Sequence, residues 1–345
     1  MLFNTLQAWF HPTIDAILAK DVPFHYRWRL ILFQPFVILI YLINTVPVLF
    51  SKRATELQIP VRDGRKLRSL VYQPSRPNQA FVQSHKGSRS APTDVARSTL
   101  RPLHLDIHGG AFLGGHPEAN HRFCAALSDR TGAVVVSTTY RFAPRYPFPA
   151  AIDDIDDVVA WLLEHAESKL QADPRCFTLS GSSAGGNLAL ATSLNNTLEE
   201  SKAKAVVTFY APIDVSIPPI QKPKPPDFPS RDPFSFLLPL YDAYGASARP
   251  AHIDDPRASP CKARADQLPN RILMVVPTID ILLAEQLEFA ERINQECRSR
   301  REDEKVELMI MEKCFHGWLE LPSAVIDEST RVRVFDRSIA FLQEV

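Results

Sequence analysis

Apolar positions along the chain gather into short runs set between longer amphipathic or polar stretches. Eight of them read as strands: "ELQIPV" (56–61), "KLRSLVY" (66–72), "PLHLDIH" (102–108), "AVVVSTTY" (133–140), "CFTLS" (176–180), "AVVTFY" (205–210), "RILMVV" (271–276) and "VELMIM" (306–311). The last six are apolar, as strands buried on both faces of a parallel sheet are. Helical stretches near 119–131, 150–168, 184–197, 280–299 and 331–344 alternate with most of them. Alternation of this kind builds a doubly wound α/β sheet. The first two strands adjoin without a helix and predict a hairpin joined at Asp63-Gly64.

Three stretches depart from the alternation. Residues 75–99 are polar and serine-rich and read as a long surface loop. Residues 212–265 are proline-rich, with a short apolar helix candidate near 234–244. They form either a linker or an excursion that covers a pocket, and the return of strand signals at Arg271 favours the excursion. Residues 30–50, "LILFQPFVILIYLINTVPVLF", carry no charge in 21 positions, and 15 of these are Leu, Ile, Val or Phe. A helix of about 20 residues matches the roughly 30 Å of a bilayer's hydrocarbon core. Arg27 and Arg29 precede the run and Lys52 and Arg53 follow it, so charge does not decide an orientation. The run starts late and is long for a cleavable signal peptide. It reads as a membrane anchor, spanning or interfacial, or else as a kinked helix pair capping a pocket. The chain thus divides into an apolar N-terminal segment, 1–55, and one α/β domain, 56–345.

Composition narrows the function. The 345 residues carry 39 basic and 39 acidic side chains, with no sustained basic stripe, which argues against nucleic acid as a partner. Five cysteines, Cys124, Cys176, Cys261, Cys297 and Cys314, are scattered without CxxC spacing. That argues against both a disulfide framework and a zinc site and favours free thiols, mostly buried.

Glycine is scarce, 12 in all, yet three glycines fall within "LSGSSAGGNLALA" (179–191). The strand "CFTLS" leads into the helix "AGGNLALATSL", and Ser183 stands at the joint. Gly181-Ser182-Ser183-Ala184-Gly185 matches G-x-S-x-G, a sharp turn that presents its serine above a sheet edge. The glycines allow strand and helix to approach closely. The N–H of Ala184 then points from the helix start towards whatever the serine attacks. No Gly-Lys-Ser/Thr follows, which excludes a phosphate-binding Walker loop. A second cluster, "HGGAFLGG" (108–115), follows the third strand and can expose consecutive N–H groups to a developing oxyanion. With Gly317, the two clusters hold eight of the 12 glycines.

Two histidines follow Ser183. His252 lies in the proline-rich stretch, whereas His316, in "CFHGW", follows the last strand and is the candidate base. The acid that would orient it is Asp280, in "VVPTIDILLAE", or Asp214, in "FYAPID"; Glu285 and Asp255 are weaker candidates. Asp280 is favoured because it follows the penultimate strand and faces the histidine loop, and it could also cap the helix beginning near Ile281.

These segments resemble the hormone-sensitive-lipase-like branch of the α/β-hydrolase superfamily, which includes arylacetamide-deacetylase-like esterases. "HGGAF" is similar to the family's HGGGF, "YRFAPRYPFPAAIDD" (140–154) to YRLAPExPFPAAxxD, and "DPRCFTLSGSSAGGNLAL" (173–190) to DPxRIxxxGDSAGGNLA. "DPRASP" (255–260), "DILLAE" (280–285) and "HGW" follow in the family's order. The resemblance covers roughly residues 100–320. It implies an α/β-hydrolase fold with an eight-stranded, mostly parallel sheet and helices on both faces. It also implies a Ser183–Asp280–His316 triad and an oxyanion hole of Gly110, Ala111 and Ala184 supported by Gly109. Three positions depart from the pattern: Ala111 replaces the third glycine, Ser182 the acid before the nucleophile, and Ala284 the second acid of DxLxDE.

The function this implies is a serine carboxylic-ester hydrolase working through an acyl-enzyme, with no metal or organic cofactor. The 1–55 segment and the 212–265 excursion would form the cap over the pocket. An apolar entrance and a membrane address point to a hydrophobic small-molecule ester, and the resemblance extends to enzymes that tailor fungal secondary metabolites. The address would be a membrane such as the endoplasmic reticulum, or the cytoplasm if the segment is a cap. The alternatives are a non-catalytic ligand receptor on this fold, or an acyltransferase or lyase using the same triad.

Overall fold

The computed structural model describes residues 10, 11, 13–49, 51, 53–75, 100–194, 202–232 and 235–345. The loop expected over 75–99 therefore lies, after Ser75, outside the described residues, as does the end of the helix expected over 184–197.

Eight strands form one sheet: β1 (Ala54–Pro60), β2 (Lys66–Tyr72), β3 (Arg101–Ile107), β4 (Val134–Thr138), β5 (Ala172–Ser182), β6 (Ala205–Phe209), β7 (Arg271–Ile279) and β8 (Val306–Phe315). Their order is β1-β2-β4-β3-β5-β6-β7-β8. β1 and β2 pair antiparallel, β2 joins β4 antiparallel, and every later pairing is parallel. The hairpin turns at Asp63-Gly64, where Gly64 takes φ +81° and its N–H donates to Val61 O at 2.9 Å.

The period-2 alternation sorts the strand side chains onto two cores. Val134, Val136, Val206, Ile272, Met274 and Val276 face one side of the sheet; Val135, Val207, Leu273 and Val275 face the other. The helices follow suit. After α1 (Phe24–Leu49) come α2 (His121–Thr131), α3 (Ala150–His165), α4 (Ala184–Ser193), α5 (Leu283–Ser299) and α6 (Glu328–Gln343). α3, α4 and α5 cover the first face, α2 and α6 the second.

β3 carries polar residues on the second face. His104 hydrogen-bonds Thr178 and Ser180 at 2.8 Å each. Asp106 accepts from Ser180 Oγ at 2.7 Å and from Asn120 Nδ2 at 3.0 Å. Burial pushes the Asp106 carboxyl up to about 6, against the pull of these donors.

The N-terminal apolar run forms one continuous helix, α1, rather than a kinked pair. Leu30, Tyr41 and Thr45 are buried against the α/β domain, whereas Ile31, Leu32, Leu39 and Leu42 are exposed. By length and composition Phe24–Ile43 could cross a membrane. The apolar stretch expected over 234–244 makes only single turns, Ser235–Leu237 and Leu238–Tyr241. α1 packs on this excursion: Phe33 meets Tyr241 edge-on at 5.9 Å, and Arg29 Nε donates to Phe236 O at 2.7 Å. All five cysteines are free thiols. Only Cys124 and Cys297 are buried, however; Cys176 is exposed and the other two are intermediate, so the expectation of mostly buried thiols fails. Cys176 is the fifth residue of β5, in its exposed stretch, with its side chain outside both cores.

Candidate active site

Ser183 joins β5 to α4 with φ 50° and ψ −122°, a conformation that costs a non-glycine residue about 1–3 kcal/mol. Its own backbone holds it there. Ser183 N–H donates to Phe209 O at 2.8 Å, and Gly186 N–H donates back to Ser183 O at 2.9 Å. The flanking glycines are required by contact. A Cβ on Gly181 would lie 2.2 Å from Gly185 O, and one on Gly185 would lie 2.0 Å from Ile107 O. β5, α4 and the end of β3 therefore meet at backbone distance beneath the serine.

His316 arrives from the loop after β8, with Gly317 next to it in the left-handed region at φ +75°. Its Nε2 lies 2.8 Å from Ser183 Oγ, and its Nδ1 lies 2.8 Å from Asp280 Oδ2. This arrangement fits a tautomer in which Nδ1–H donates to Asp280 and Nε2 accepts from the serine hydroxyl. The second carboxylate oxygen of Asp280 accepts from Leu282 N–H at 3.0 Å. α5 starts at Leu283, later than the sequence suggests. The Asp280 side chain is 1% exposed, while the imidazole is 41% exposed. Burial disfavours the charged imidazole, but the Asp280 carboxylate outweighs it, and the His316 pKa is raised above its ordinary value.

The glycine loop after β3 closes over the same point. A Cβ on Gly109 would lie 3.2 Å from Ser183 Cβ, so the loop and the serine are in contact. Gly110, Ala111 and Phe112 all take positive φ, at 123°, 55° and 61°. At Gly110 a side chain would lie 2.3 Å from Gly114 O. His108, neutral because burial drives its pKa down to about 3, ties the loop base through Gly109 O at 2.7 Å and Thr139 Oγ1 at 3.0 Å. Ala184 opens α4, so its N–H has no intrahelical acceptor.

The structure thus brings together Ser183, His316, Asp280, Gly109, Gly110, Ala111 and Ala184. It leaves the other candidates elsewhere. Asp214 accepts from Ser216 N–H at 2.9 Å, Glu285 accepts from Ile213 N–H at 2.9 Å and pairs with Lys222, and His252 packs on Phe148. Asp255 accepts from Arg257 N–H at 2.8 Å. Among the described residues no group of three or more His, Cys, Asp or Glu side chains could hold a metal ion.

Several neighbours escaped the sequence reading. Tyr41 of α1 accepts from Gly115 N–H at 2.6 Å, and Tyr244 of the excursion stacks on Phe112 at 3.9 Å. The Tyr210 ring packs edge-on against His316 at 5.2 Å. Tyr41 and Tyr244 lie in segments whose pairing with the glycine loop is long-range, and no local pattern marks it. Tyr210 directly follows β6, the strand beside the nucleophile strand, and that place at the sheet's carboxyl edge was a legible hint.

A family model described as an alpha/beta hydrolase fold matches residues 104–320. An ethyl acetate hydrolase of Pseudomonas putida is 28% identical over 249 residues, 70% of this chain and 70% of that protein. Lipase 2 of a Moraxella species is 44% identical over 101 residues, and the arylacetamide deacetylase of Oryctolagus cuniculus 42% over 100 residues. These two matches cover 29% and 27% of this chain and span 23% and 24% of those proteins. Two solved structures share the fold. The thermostable carboxylesterase EstE1, cloned from a metagenomic library, has a TM-score of 0.68 at 24% identity over 90% of this chain and 96% of that one. A hyperthermophilic esterase of Pyrobaculum calidifontis has a TM-score of 0.69 at 23% identity over 97% of each chain. The chain belongs to the α/β-hydrolase fold family, in its hormone-sensitive-lipase-like branch.

Proposed function

We propose that the protein hydrolyses carboxylic esters through Ser183. The observation that carries this reading is the unbroken chain Asp280–His316–Ser183, with both contacts at 2.8 Å, ending on a serine held above a sheet edge. The Ser183 hydroxyl attacks the ester carbonyl while His316 Nε2 takes its proton. The tetrahedral oxyanion is held by the N–H groups of Gly110, Ala111 and Ala184, with Gly109 as their support. His316 returns the proton to the leaving alcohol, and the acyl group stays on Ser183. A water, deprotonated by His316, then attacks the acyl-enzyme and releases the acid. Asp280 keeps the imidazole in the tautomer this needs and stabilises its protonated form. Ala111 in place of the family's third glycine keeps its backbone donor, and Ser182 and Ala284 remove no group from this sequence of steps.

The relatives known as an ethyl acetate hydrolase, a lipase and an arylacetamide deacetylase support an ester substrate for this chain. The apolar side chains of α1 and the 212–265 excursion beside the glycine loop favour a hydrophobic small molecule over a polymer. The test is a hydrolysis screen of 4-nitrophenyl esters from acetyl to dodecanoyl, with Ser183→Ala as control. The reading predicts turnover that the variant lowers by roughly 10³-fold or more. Equal turnover in the variant would refute it. Adding a competing alcohol separates hydrolysis from acyl transfer, because a transferase would divert product to the new ester.

We also infer that α1 lies along a lipid surface rather than across it. A spanning helix has lipid on all sides, yet Leu30, Tyr41 and Thr45 are used up against the α/β domain. The outward face, with Ile31 and Leu32 and then Leu39 and Leu42, has the form of an interfacial helix.

A further inference from the structure

The glycine loop that supplies the Gly110 and Ala111 N–H groups folds back on itself. Leu113 N–H donates to Gly110 O at 2.8 Å and closes a tight turn around Ala111 and Phe112. Beyond the turn the chain returns along its own start. A Cβ on Gly110 would lie 2.3 Å from Gly114 O. One on Gly115, at φ +120°, would lie 2.4 Å from Gly109 O and 2.2 Å from His108 Nδ1. Gly114 thus backs Gly110, and Gly115 backs Gly109. Contact at backbone distance passes any shift of the returning arm to the donors.

The loop is held along its length. His108 ties its base, and at the turn Ala143 N–H donates to Phe112 O at 2.8 Å. The returning arm is held from α1, where Tyr41 Oη accepts from Gly115 N–H at 2.6 Å. Gly114 makes room for that hydroxyl, since a Cβ there would lie 3.0 Å from it. Tyr41 is itself fixed. Its ring packs edge-on against His116 at 4.3 Å, and Thr45, one turn further along α1, places Oγ1 3.3 Å from His116 Nε2. His116 Nδ1 lies 3.4 Å from Glu118 Oε2, and Glu118 pairs with Arg68 of β2 at 2.6 Å. Tyr41, Thr45, His116 and Glu118 are all buried. This row of polar contacts sets the rotation of α1 about its axis, because residues four apart share one helix face.

We propose that Tyr41 is a positioning residue for the oxyanion hole. Its hydroxyl holds Gly115, the arm of Gly114 and Gly115 backs Gly109 and Gly110, and the N–H groups of Gly110 and Ala111 are aimed at the oxygen that gains charge when Ser183 attacks. Tyr41 acts through the loop rather than on the ester. α1 is then part of the machinery that makes the oxyanion hole, as well as the helix that faces lipid. The assignment rests on the ester-hydrolase reading above and adds a residue to it.

The test compares the wild type with Tyr41→Phe, which keeps the ring on His116 and removes the hydroxyl. Active enzyme is counted by titration to the end point with a dialkyl 4-nitrophenyl phosphate, so a loss of folded protein cancels. With 4-nitrophenyl acetate, acylation and deacylation both pass through an oxyanion. In Tyr41→Phe kcat should therefore fall by roughly ten- to a hundredfold, as for misplaced donors, with KM within about twofold of wild type. A trifluoromethyl ketone with a hexyl chain reads the hole directly. Ser183 Oγ bonds to its carbonyl carbon, the carbonyl electron pair moves to the oxygen, and the serine proton passes to His316. Its inhibition constant should rise by the factor by which kcat falls, whereas octan-2-one, which is not attacked, should bind both proteins alike. Thr45→Val loosens α1 without touching Gly115, and its kcat should stay within about twofold of wild type. Wild-type kcat and ketone affinity in Tyr41→Phe would overturn the positioning role, and so would a raised KM at unchanged kcat. An equal loss of kcat in Thr45→Val would overturn it too, since docking of the whole helix would then be the cause. In each of these cases turnover abolished by Ser183→Ala leaves the hydrolase reading standing; turnover that survives Ser183→Ala overturns that reading itself.

Discussion

In the proposed mechanism His316 is the base, and burial and the Asp280 carboxylate set its pH behaviour. As the base it must be neutral, and the Asp280 carboxylate raises its pKa despite the opposing effect of burial. The imidazole therefore stays protonated to a higher pH than a free histidine, whose ordinary value is about 6.5. kcat/KM should rise with pH along an acid limb whose midpoint lies above that value. In Asp280→Asn the raising charge is gone, so the midpoint moves down. The rate falls by roughly 10⁴, the loss seen for the same change in a well-studied serine protease. A pH–rate profile of both proteins reads this out; an acid limb that does not move in Asp280→Asn would remove Asp280 from the account. The residues of this chain were legible because a triad needs few residue types, and only two histidines follow Ser183. The choice between Asp280 and Asp214 was not settled by strand order alone. Both follow parallel strands, and only the folded loop shows which carboxylate reaches Nδ1.

At the scale of elements, the packing of α4 against β3 and β5 depends on the absence of a single methyl group. Gly185→Ala would place its Cβ 2.0 Å from Ile107 O and 2.5 Å from His108 O, both backbone atoms that cannot turn aside. Overpacking of this sort costs about 1–3 kcal/mol or more. The variant should show a lowered melting temperature together with lost turnover, since the elbow shifts with the helix. Wild-type stability in a calorimetric scan would contradict the contact. The strands were legible because their apolar runs are bounded by turn residues, and each lies within a few residues of its expected place. Element ends were less so. β5 extends to Ala172–Ser182 and β8 to Val306–Phe315, beyond the apolar runs that signalled them, because pairing with neighbouring strands continues: β5 through the polar ends Asp173 and Ser182, β8 past Met311, its last buried side chain. The excursion gave the weakest signal: its prolines forbid long helices, and what orders it is contact with α1 and the glycine loop.

For the whole molecule, the orientation of α1 joins the site to its surroundings. The same helix lays Tyr41 on Gly115 and turns Leu39 and Leu42 outward. Replacing both leucines by Asp should abolish co-sedimentation with phosphatidylcholine–phosphatidylserine vesicles while leaving turnover of a soluble acetate ester near wild type. Unchanged vesicle binding would exclude this face as the contact. A 21-residue uncharged run announces an apolar environment but not its geometry, because spanning, lying flat and capping satisfy the same composition. The proposal that it lies flat rests on the burial of Leu30, Tyr41 and Thr45 on one side. The central claim, that Ser183 is an activated nucleophile at the crest of the sheet, is tested most directly by treating the protein with a dialkyl 4-nitrophenyl phosphate and mapping the adduct by peptide mass spectrometry. The account predicts one dialkylphosphoryl group per chain, on Ser183, and none in His316→Ala. A protein that remains unmodified, or a label that falls on another residue, would contradict it.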